Sequence, residues 1–381
     1  MKPEAAAGRR PPRVALVHDW LTGMRGGEKV LEALCALYPD APLFTLVHVP
    51  GAVSPAIERH RPRASWLSRL PGVRRSYRLL LPLFPAAAEG FDLDGFDLVL
   101  SSSHCAVKSV VRPGRARHVS YCHTPMRYVW DQREAYFGAG RLGWPAARAL
   151  RPILAWLARW DAATSSRVDR YVANSQHVAR RIGRYYNRRA DVVHPPVDVE
   201  FFQPDGRPPG DFALIVSALV PYKRLDLAIE ACRLAGVRLR IVGQGPDLRR
   251  LRARAGDQVE FLGPRADEEI RELYRACGVV LLPGEEDFGI VPVEAQACGR
   301  PVVAAAIGGA LETVIDSETG VLVAPGSAEA MADGIARALA TRFAPAALRG
   351  HAERFGRERF TARIAGIVDD TLSAGAGPMT W

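Results

Sequence analysis

Two carboxylates stand eight positions apart, Glu286 and Glu294, in the run Gly284-Glu285-Glu286-Asp287-Phe288-Gly289-Ile290-Val291-Pro292-Val293-Glu294. Residues 277–282 read as a short buried strand and 292–299 as a helix with Pro292 in its first turn. Glu286 then falls in the loop and Glu294 about a turn into the helix. Between them, the amides of Phe288, Gly289 and Ile290 lie where backbone N–H groups at a helix start are open to a phosphate or a sugar hydroxyl. Carboxylates accept hydroxyl hydrogen bonds and amides donate to anionic oxygens, so the run suits a polyhydroxylated ligand. The ordinary alternative is that acidic residues simply favour the positive end of a helix dipole, with Glu294 a solvated surface residue.

The Glu-x7-Glu spacing with Phe-Gly-Ile inside it, continued by Glu-Ala-Gln-Ala-Cys-Gly-Arg-Pro-Val-Val-Ala from Glu294 to Ala304, resembles the signature of the retaining, nucleotide-sugar-dependent glycosyltransferases of family 4. That resemblance implies an α/β chain with the GT-B fold, in which two doubly wound Rossmann-like domains face each other across a cleft.

The elements expected to position these residues form two series. Residues 14–18, 43–47, 97–101, 118–121, 170–173 and 192–193 are apolar strand candidates separated by helical segments, and 212–216, 239–242, 259–262, 279–282, 302–304 and 321–323 repeat the pattern. Such alternation argues for parallel sheets covered by helices, with ligands at the carboxyl ends of strands. The Pro- and Gly-rich stretch from His194 to Gly206 reads as a linker. We therefore expect an N-terminal acceptor-side domain over 1–197 and a nucleotide-sugar-binding domain over 198–354. By resemblance, residues 355–381 form a helix crossing back to the first domain plus a frayed tail from Ser373.

Loops after the strands supply the other candidates. His18-Asp19-Trp20-Leu21-Thr22-Gly23-Met24-Arg25-Gly26-Gly27-Glu28-Lys29 follows the first strand, and Gly26 and Gly27 at a helix start let amides approach an anion, unless they are only a flexible loop. Tyr121-Cys122-His123-Thr124-Pro125-Met126-Arg127-Tyr128-Val129-Trp130-Asp131 ends another strand in a dense polar and aromatic group; a lone histidine there is more often structural. Lys223, in Ser217-Ala218-Leu219-Val220-Pro221-Tyr222-Lys223-Arg224, suits a diphosphate leaving group. Its position at a helix start, where the dipole disfavours cations, in a chain with only four lysines, points the same way. Gly243 and Gly245 form a Gly-x-Gly turn with Leu248 where a dinucleotide fingerprint needs a third glycine. Gly308 and Gly309 form another tight loop.

In the resembled family a histidine at the position of His123 lies beside the donor sugar, and a glycine-rich loop like that of Gly26 and Gly27 closes on the donor's phosphate and sugar. The Gly243 turn and the loop at 261–263 flank the nucleoside. The resemblance assigns Glu286 to donor-sugar hydroxyls and Glu294 to the ribose. An arginine usually stands where this chain has Ala218, so the diphosphate clamp is either partial or uses Arg224. The runs around His18 and His123 are most similar to the bacterial O-antigen-type mannosyltransferase branch, which implies GDP-mannose as donor and a lipid-linked saccharide or related glycan as acceptor. A UDP-sugar transferase of the same fold, a sugar-nucleotide epimerase and a non-catalytic membrane-associated scaffold are the alternatives.

Composition narrows the setting. With 381 residues, 48% hydrophobic, the chain can bury cores for two domains. The net charge of +10 is uneven: 30 Lys and Arg against 17 Asp and Glu up to residue 200, then 21 against 24. The basic half admits nucleic acid, anionic lipid or a phosphorylated substrate, but no nucleic-acid module is recognisable. Residues 59–84, seven arginines interleaved with Trp66, Leu67, Leu70, Tyr77 and Phe84, read either as a basic amphipathic surface for anionic lipid or as a solvated helical insertion. The six scattered cysteines lack a Cys-x-x-Cys pair and read as buried, reduced thiols of a cytoplasmic protein. Residues 1–12 lack the apolar stretch of a signal peptide, and no apolar run reaches the roughly 20 residues that span a bilayer, so membrane contact is expected to be peripheral, on the inner face. No metal spacing stands out; Asp92-Leu93-Asp94 is a bare Asp-x-Asp in a Gly-bounded turn. No cofactor is expected.

Overall fold

The computed structural model describes residues 10–138, 140 and 143–374. The basic start up to residue 9 and most of the expected frayed tail, 375–381, lie outside the described residues. The chain divides into two compact units. One comprises the chain up to Asn174, Val178–Val193 and the chain from Thr361; the other comprises Ser175–His177 and His194–Phe360.

Seven strands form the sheet of the first unit: β1 (Val14–Leu21), β2 (Leu43–His48), β3 (Arg63–Ala64), β4 (Leu98–Ser103), β5 (Arg117–Cys122), β6 (Arg170–Ala173) and β7 (Ala190–Val192), in the order β3-β2-β1-β4-β5-β6-β7. Six form that of the second: β8 (Phe212–Val216), β9 (Arg238–Val242), β10 (Val259–Gly263), β11 (Val279–Leu282), β12 (Val302–Ala305) and β13 (Gly320–Val323), ordered β10-β9-β8-β11-β12-β13. All pairings are parallel. Each sheet is doubly wound, and its strand order reverses once, between β1 and β4 or between β8 and β11. In such sheets that reversal opens a crevice outside the carboxyl ends.

The strands form where Val, Ile, Leu and Ala run together because both faces are covered. Along β8, Phe212 and Leu214 pack with Phe202, Tyr274 and Phe288, while Ala213 and Ile215 pack with Leu225, Ile229 and Ile335 on the other face. A strand with no solvated face has no polar alternation, and its edges are marked by the Gly and Pro of the adjoining turns.

The segment at 59–84 is neither a single amphipathic helix nor a wholly solvated insertion. It forms the short edge strand β3 and then the turns Trp66–Arg69, Val73–Ser76 and Tyr77–Leu83. Pro71, Gly72 and Pro82 interrupt any longer helix. Leu67, Val73, Tyr77, Leu81 and Phe84 join the core of the first unit, while Trp66, Leu79 and Leu83 remain exposed.

Lys108 is enclosed in the first unit with 1% of its surface exposed. Its Nζ lies 3.1 Å from Oδ1 of Asp161 and donates to the Asp161 carbonyl at 2.7 Å and the Ser109 hydroxyl at 3.0 Å. Asp161 also accepts from Trp130 Nε1 and the Tyr186 hydroxyl. This buried pair ties the long helix Trp144–Ala163 to the segment following β4. All six cysteines are free and buried, and no described helix is long and apolar enough to cross a membrane.

Candidate active site

In the second unit the candidate residues gather at the reversal between β8 and β11. After β8 the chain turns through Pro221–Lys223, and the Lys223 ammonium pairs with the Glu286 carboxylate in the loop after β11. Gly284 makes this approach possible. A Cβ there would fall 2.7 Å from the Cα, C and O atoms of Lys223, so any side chain would push the two loops apart. On the other side of the Glu286 loop, Gly309 N donates to Glu286 O at 2.8 Å, and Gly308 bridges Glu286. A Cβ on Gly309 would sit 2.3 Å from Phe288 Cα.

The same device joins the next pair of loops. Gly243, at φ +130°, has no room for a Cβ because Ser217 O would be 1.9 Å away, and at Gly245 the Leu219 carbonyl would be 2.2 Å away. The glycines of this turn therefore let the loops after β8 and β9 touch main chain to main chain.

Phe288 is a buried anchor, its ring stacked on His194 at 5.2 Å and against Phe355 at 5.5 Å. Gly289 follows at φ +87°, a conformation that favours glycine, and the helix Ile290–Ala297 begins with no side-chain cap and no acidic residue in its first turn. Its positive end thus carries no compensating charge of its own, which suits an anion. Glu294 is 4% exposed and accepts from the Tyr274 hydroxyl at 3.0 Å. Burial, and after it the carboxylate, push the Tyr274 phenol well up. Glu294 is therefore not a solvated surface residue. Arg224 adopts φ +52° and pairs with Asp226 at 3.3 Å rather than with Glu286.

Gly284→Ala is expected to cost about 1–3 kcal/mol through overpacking, whereas Gly256→Ala, where an added Cβ meets nothing within 4 Å, serves as the control. Thermal unfolding of the two variants checks this; equal stability would mean that the loops yield freely.

In the first unit the candidates gather at the reversal between β1 and β4. The helix Gly26–Leu37 starts without a side-chain cap. A Cβ on Gly27 would lie 3.7 Å from His123 Nε2 and 3.7 Å from His18 Cε1, so this helix start and the end of β5 are neighbours. Asn174 Nδ2 donates to the His123 carbonyl at 2.9 Å.

Around His123 stand residues that motif reading passed over. Ser102 Oγ lies 2.8 Å from His123 Nε2 and 3.1 Å from His18 Nδ1, and His18 Nε2 lies 3.9 Å from Oε1 of Glu28. Burial pushes the Glu28 carboxyl up, but the facing His18 ring, with His104 behind it, outweighs burial and holds the group below the ordinary range. Asp19 accepts the amides of His104, Cys105, Ala106 and Val107 at 2.7–3.0 Å. His104 Nδ1 faces Asp19 at 3.3 Å, and burial pushes its ring down ahead of the opposing pull of Asp19. The usable signal was positional: Ser102 lies at the carboxyl end of β4 with His104 just beyond it, and His18 stands opposite Ser102 in β1, though their convergence is a property of the sheet. Among the described residues no group of three or more His, Cys, Asp or Glu could hold a metal ion. Asp92 accepts the Asp94 amide at 3.1 Å, a local turn.

Residues 24–201 match the family model described as Glycosyltransferase Family 4, and residues 198–359 match that of Glycosyl transferases group 1. D-inositol 3-phosphate glycosyltransferase of Mycobacteroides abscessus is 38% identical over 197 residues, 45% of this chain and 44% of that protein. Its namesake from Mycolicibacterium smegmatis is 38% identical over 180 residues, 41% and 42% of the two chains. The matched part thus spans less than half the length of these relatives. Among solved structures, Anabaena HepE in complex with UDP and glucose superposes with a TM-score of 0.71 at 22% identity, over 94% of this chain and 99% of that one. Sucrose-phosphate synthase from Thermosynechococcus elongatus gives 0.68 at 20% identity, over 95% and 100%. These structural likenesses speak for the fold. One model matches the first part and the other the second, together from residue 24 to residue 359, and the chain has the GT-B fold of its structural neighbours.

Proposed function

We propose that the protein transfers a hexose from a nucleotide sugar to a glycan acceptor with retention of anomeric configuration. The observation that carries this reading is the Lys223–Glu286 pair at a strand-order reversal, next to a helix start without cap or acidic residue. In the reaction the bond from the sugar's C1 to the diphosphate oxygen breaks and a bond from C1 to the acceptor oxygen forms. The acceptor's proton passes to the departing diphosphate on the same face. Lys223, the amides from Phe288 to Ile290 and those of Gly26 and Gly27 take up the charge that develops on the diphosphate. Glu286 holds sugar hydroxyls, His123 contacts the donor sugar, Glu294 serves the ribose, and Gly243 and Gly245 shape the nucleoside's surroundings. Arg224 becomes the clamp's second member by leaving Asp226.

For the donor we favour GDP-mannose, from the resemblance carried by the runs at His18 and His123. UDP-glucose is the second reading, favoured by HepE, a structural neighbour solved with UDP-glucose. The proposed acceptor is a lipid-linked saccharide; an inositol phosphate belongs in the acceptor screen because of the relatives' name. Peripheral contact with anionic lipid is supported by exposed Trp66, Leu79 and Leu83 beside exposed Arg69 and Arg74.

Thermal stabilisation by GDP, UDP, ADP and their sugars tests the reading. A ligand bound only by the folded protein at about 100 times its Kd adds about 2.7 kcal/mol. Selective stabilisation by GDP and GDP-mannose is the expected result. A preference for UDP compounds replaces the donor, and no response to any of them overturns the enzyme reading.

A further inference from the structure

At the edge of the first sheet the short strand β3 lies in parallel register with β2, Arg63 opposite Phe44 and Ala64 opposite Thr45. Side chains opposite each other in register rise from the same face, and the Arg63 guanidinium accordingly stands over the Phe44 ring, 5.5 Å from its centroid. The chain then turns sharply. Ser65 Oγ donates to the Leu46 carbonyl at 2.7 Å and accepts the Leu67 amide at 3.2 Å, which fixes the start of the turn Trp66–Arg69. Beyond the end of the helix Phe84–Glu89, the Phe91 ring packs against Phe44 with centroids 5.7 Å apart. These pieces enclose a cavity of about 300 Å³, with Phe44, Arg63, Trp66, Arg69, Phe91 and Asp92 in its lining.

The charge of this cavity is unbalanced. Arg63 and Arg69 are both exposed, and neither pairs with a carboxylate among the described residues. Asp92, the one acidic residue of the lining, has its Oδ1 engaged by the Asp94 amide at 3.1 Å. Two guanidinium forks against one carboxylate favour an anion, and the planar fork matches the oxygens of a phosphate. The volume is at the small end of the range for ligand sites, roughly 300–1,000 Å³, which suits one headgroup rather than a length of glycan. The rim decides the kind of phosphate. Trp66 is 44% exposed, and the same segment leaves Leu79 78% and Leu83 40% exposed. Indole rings settle at the boundary between headgroups and acyl chains, whereas a free phosphate or a phosphorylated sugar offers uncovered leucines nothing to bury against.

We propose that this cavity is a headgroup site for an anionic phospholipid, in which Arg63 and Arg69 hold the phosphate and Trp66 enters the interface. The proposal rests on the reading of peripheral contact with anionic lipid and changes its character: a diffuse attraction becomes a site with two named guanidinium donors. None of the lining residues belongs to the candidate active site, so the site holds the first unit at a bilayer without engaging His123 or the helix start at Gly26 and Gly27.

Sedimentation of the full chain with vesicles of phosphatidylcholine alone, and with vesicles of phosphatidylcholine and phosphatidylglycerol in equal parts, tests this. The wild type is expected to bind the mixed vesicles and to ignore the neutral ones. A single exposed arginine at an anionic surface contributes about fivefold, the loss expected for Arg74→Gln, which removes an exposed arginine outside the cavity. Arg63→Gln and Arg69→Gln are each expected to lose about thirtyfold, because charge-assisted hydrogen bonds go with the charge. Arg69→Lys keeps the charge without the fork and is expected to lose about tenfold, a loss that diffuse attraction does not produce. Glycerol 3-phosphate in solution separates the two sources of phosphate: it is expected to displace the protein from vesicles only in large excess. Cavity variants that bind no more weakly than Arg74→Gln, or glycerol 3-phosphate bound as tightly as the mixed vesicles, overturn the headgroup site. If the wild type ignores the mixed vesicles as well, the reading of peripheral contact itself fails; if it binds them and loses binding only when Leu79→Ser and Leu83→Ser are combined, the contact stands and the cavity has no part in it.

Discussion

Glu286→Ala is expected to lower the rate of sugar transfer by about 10²–10³-fold, the loss seen when one preorganised polar contact to a reacting group is removed. The ligand-free structure adds a second consequence. Glu286 is the partner of Lys223, and their side chains are only 20% and 14% exposed, so the variant strands a mostly enclosed ammonium, a change that destabilises because the charge loses its compensation. A nucleoside diphosphate restores an anion to Lys223. The variant is therefore expected to unfold at a lower temperature than the wild type when free, and to recover much of the difference when the nucleotide is bound. Melting curves with and without the preferred nucleotide, beside a transfer assay, check both halves. Undiminished transfer by Glu286→Ala would remove this loop from the proposed site.

The largest effect on stability is expected from Lys108→Met. It leaves the Asp161 carboxylate, fully buried, without the ammonium 3.1 Å away, and breaking one side of such a pair costs about 3–5 kcal/mol. Lys108→Arg is no remedy, because the enclosed site has no room for a larger, branched head group. Trp160 and Trp130 adjoin the pair, the first 6.0 Å from Lys108 Nζ and the second donating to Asp161 at 2.7 Å, so denaturant unfolding followed by tryptophan fluorescence reports on the affected region. Asp161→Asn should recover less than the pair's loss when combined with Lys108→Met, since Trp130 and Tyr186 keep their acceptor but the lysine's carbonyl and hydroxyl partners remain unfilled. A Lys108→Met protein with unaltered unfolding would show that the pair carries no net stabilisation.

The places of most strands were legible, though not their order in the sheets, because strands covered on both faces are written as bursts of Val, Ile, Leu and Ala. Residues 170–173, 212–216 and 279–282 match their strands end to end. Arg63–Ala64 was not legible, since both residues are exposed at the sheet edge and leave no apolar trace. The interleaved arginines at 59–84 suggested a helix, but periodicity there came from three short turns each burying one or two residues. At the site, Glu286 and Lys223 were readable as chemical types and not as an ion pair, because nothing local to either run encodes the other. Lys108 was singled out only as a lysine kept in an Arg-rich chain; its burial depends on Asp161 and Tyr186, which come from other elements. The contacts of Ser102 with His18 and His123 are of the same kind: each residue is unremarkable in its own segment, and only the adjacency of β1, β4 and β5 sets them side by side.

The main-chain contacts at Gly243, Gly245, Gly284 and Gly309 invert the usual tolerance of a site. The residues with nothing beyond Cα are those that cannot be exchanged, because neighbouring backbone already fills the space a Cβ would need. A scaffold held this way can take new side chains at its recognition positions while the loops stay where they are, so changes of donor preference within such a frame need point substitutions rather than insertions or rebuilt loops.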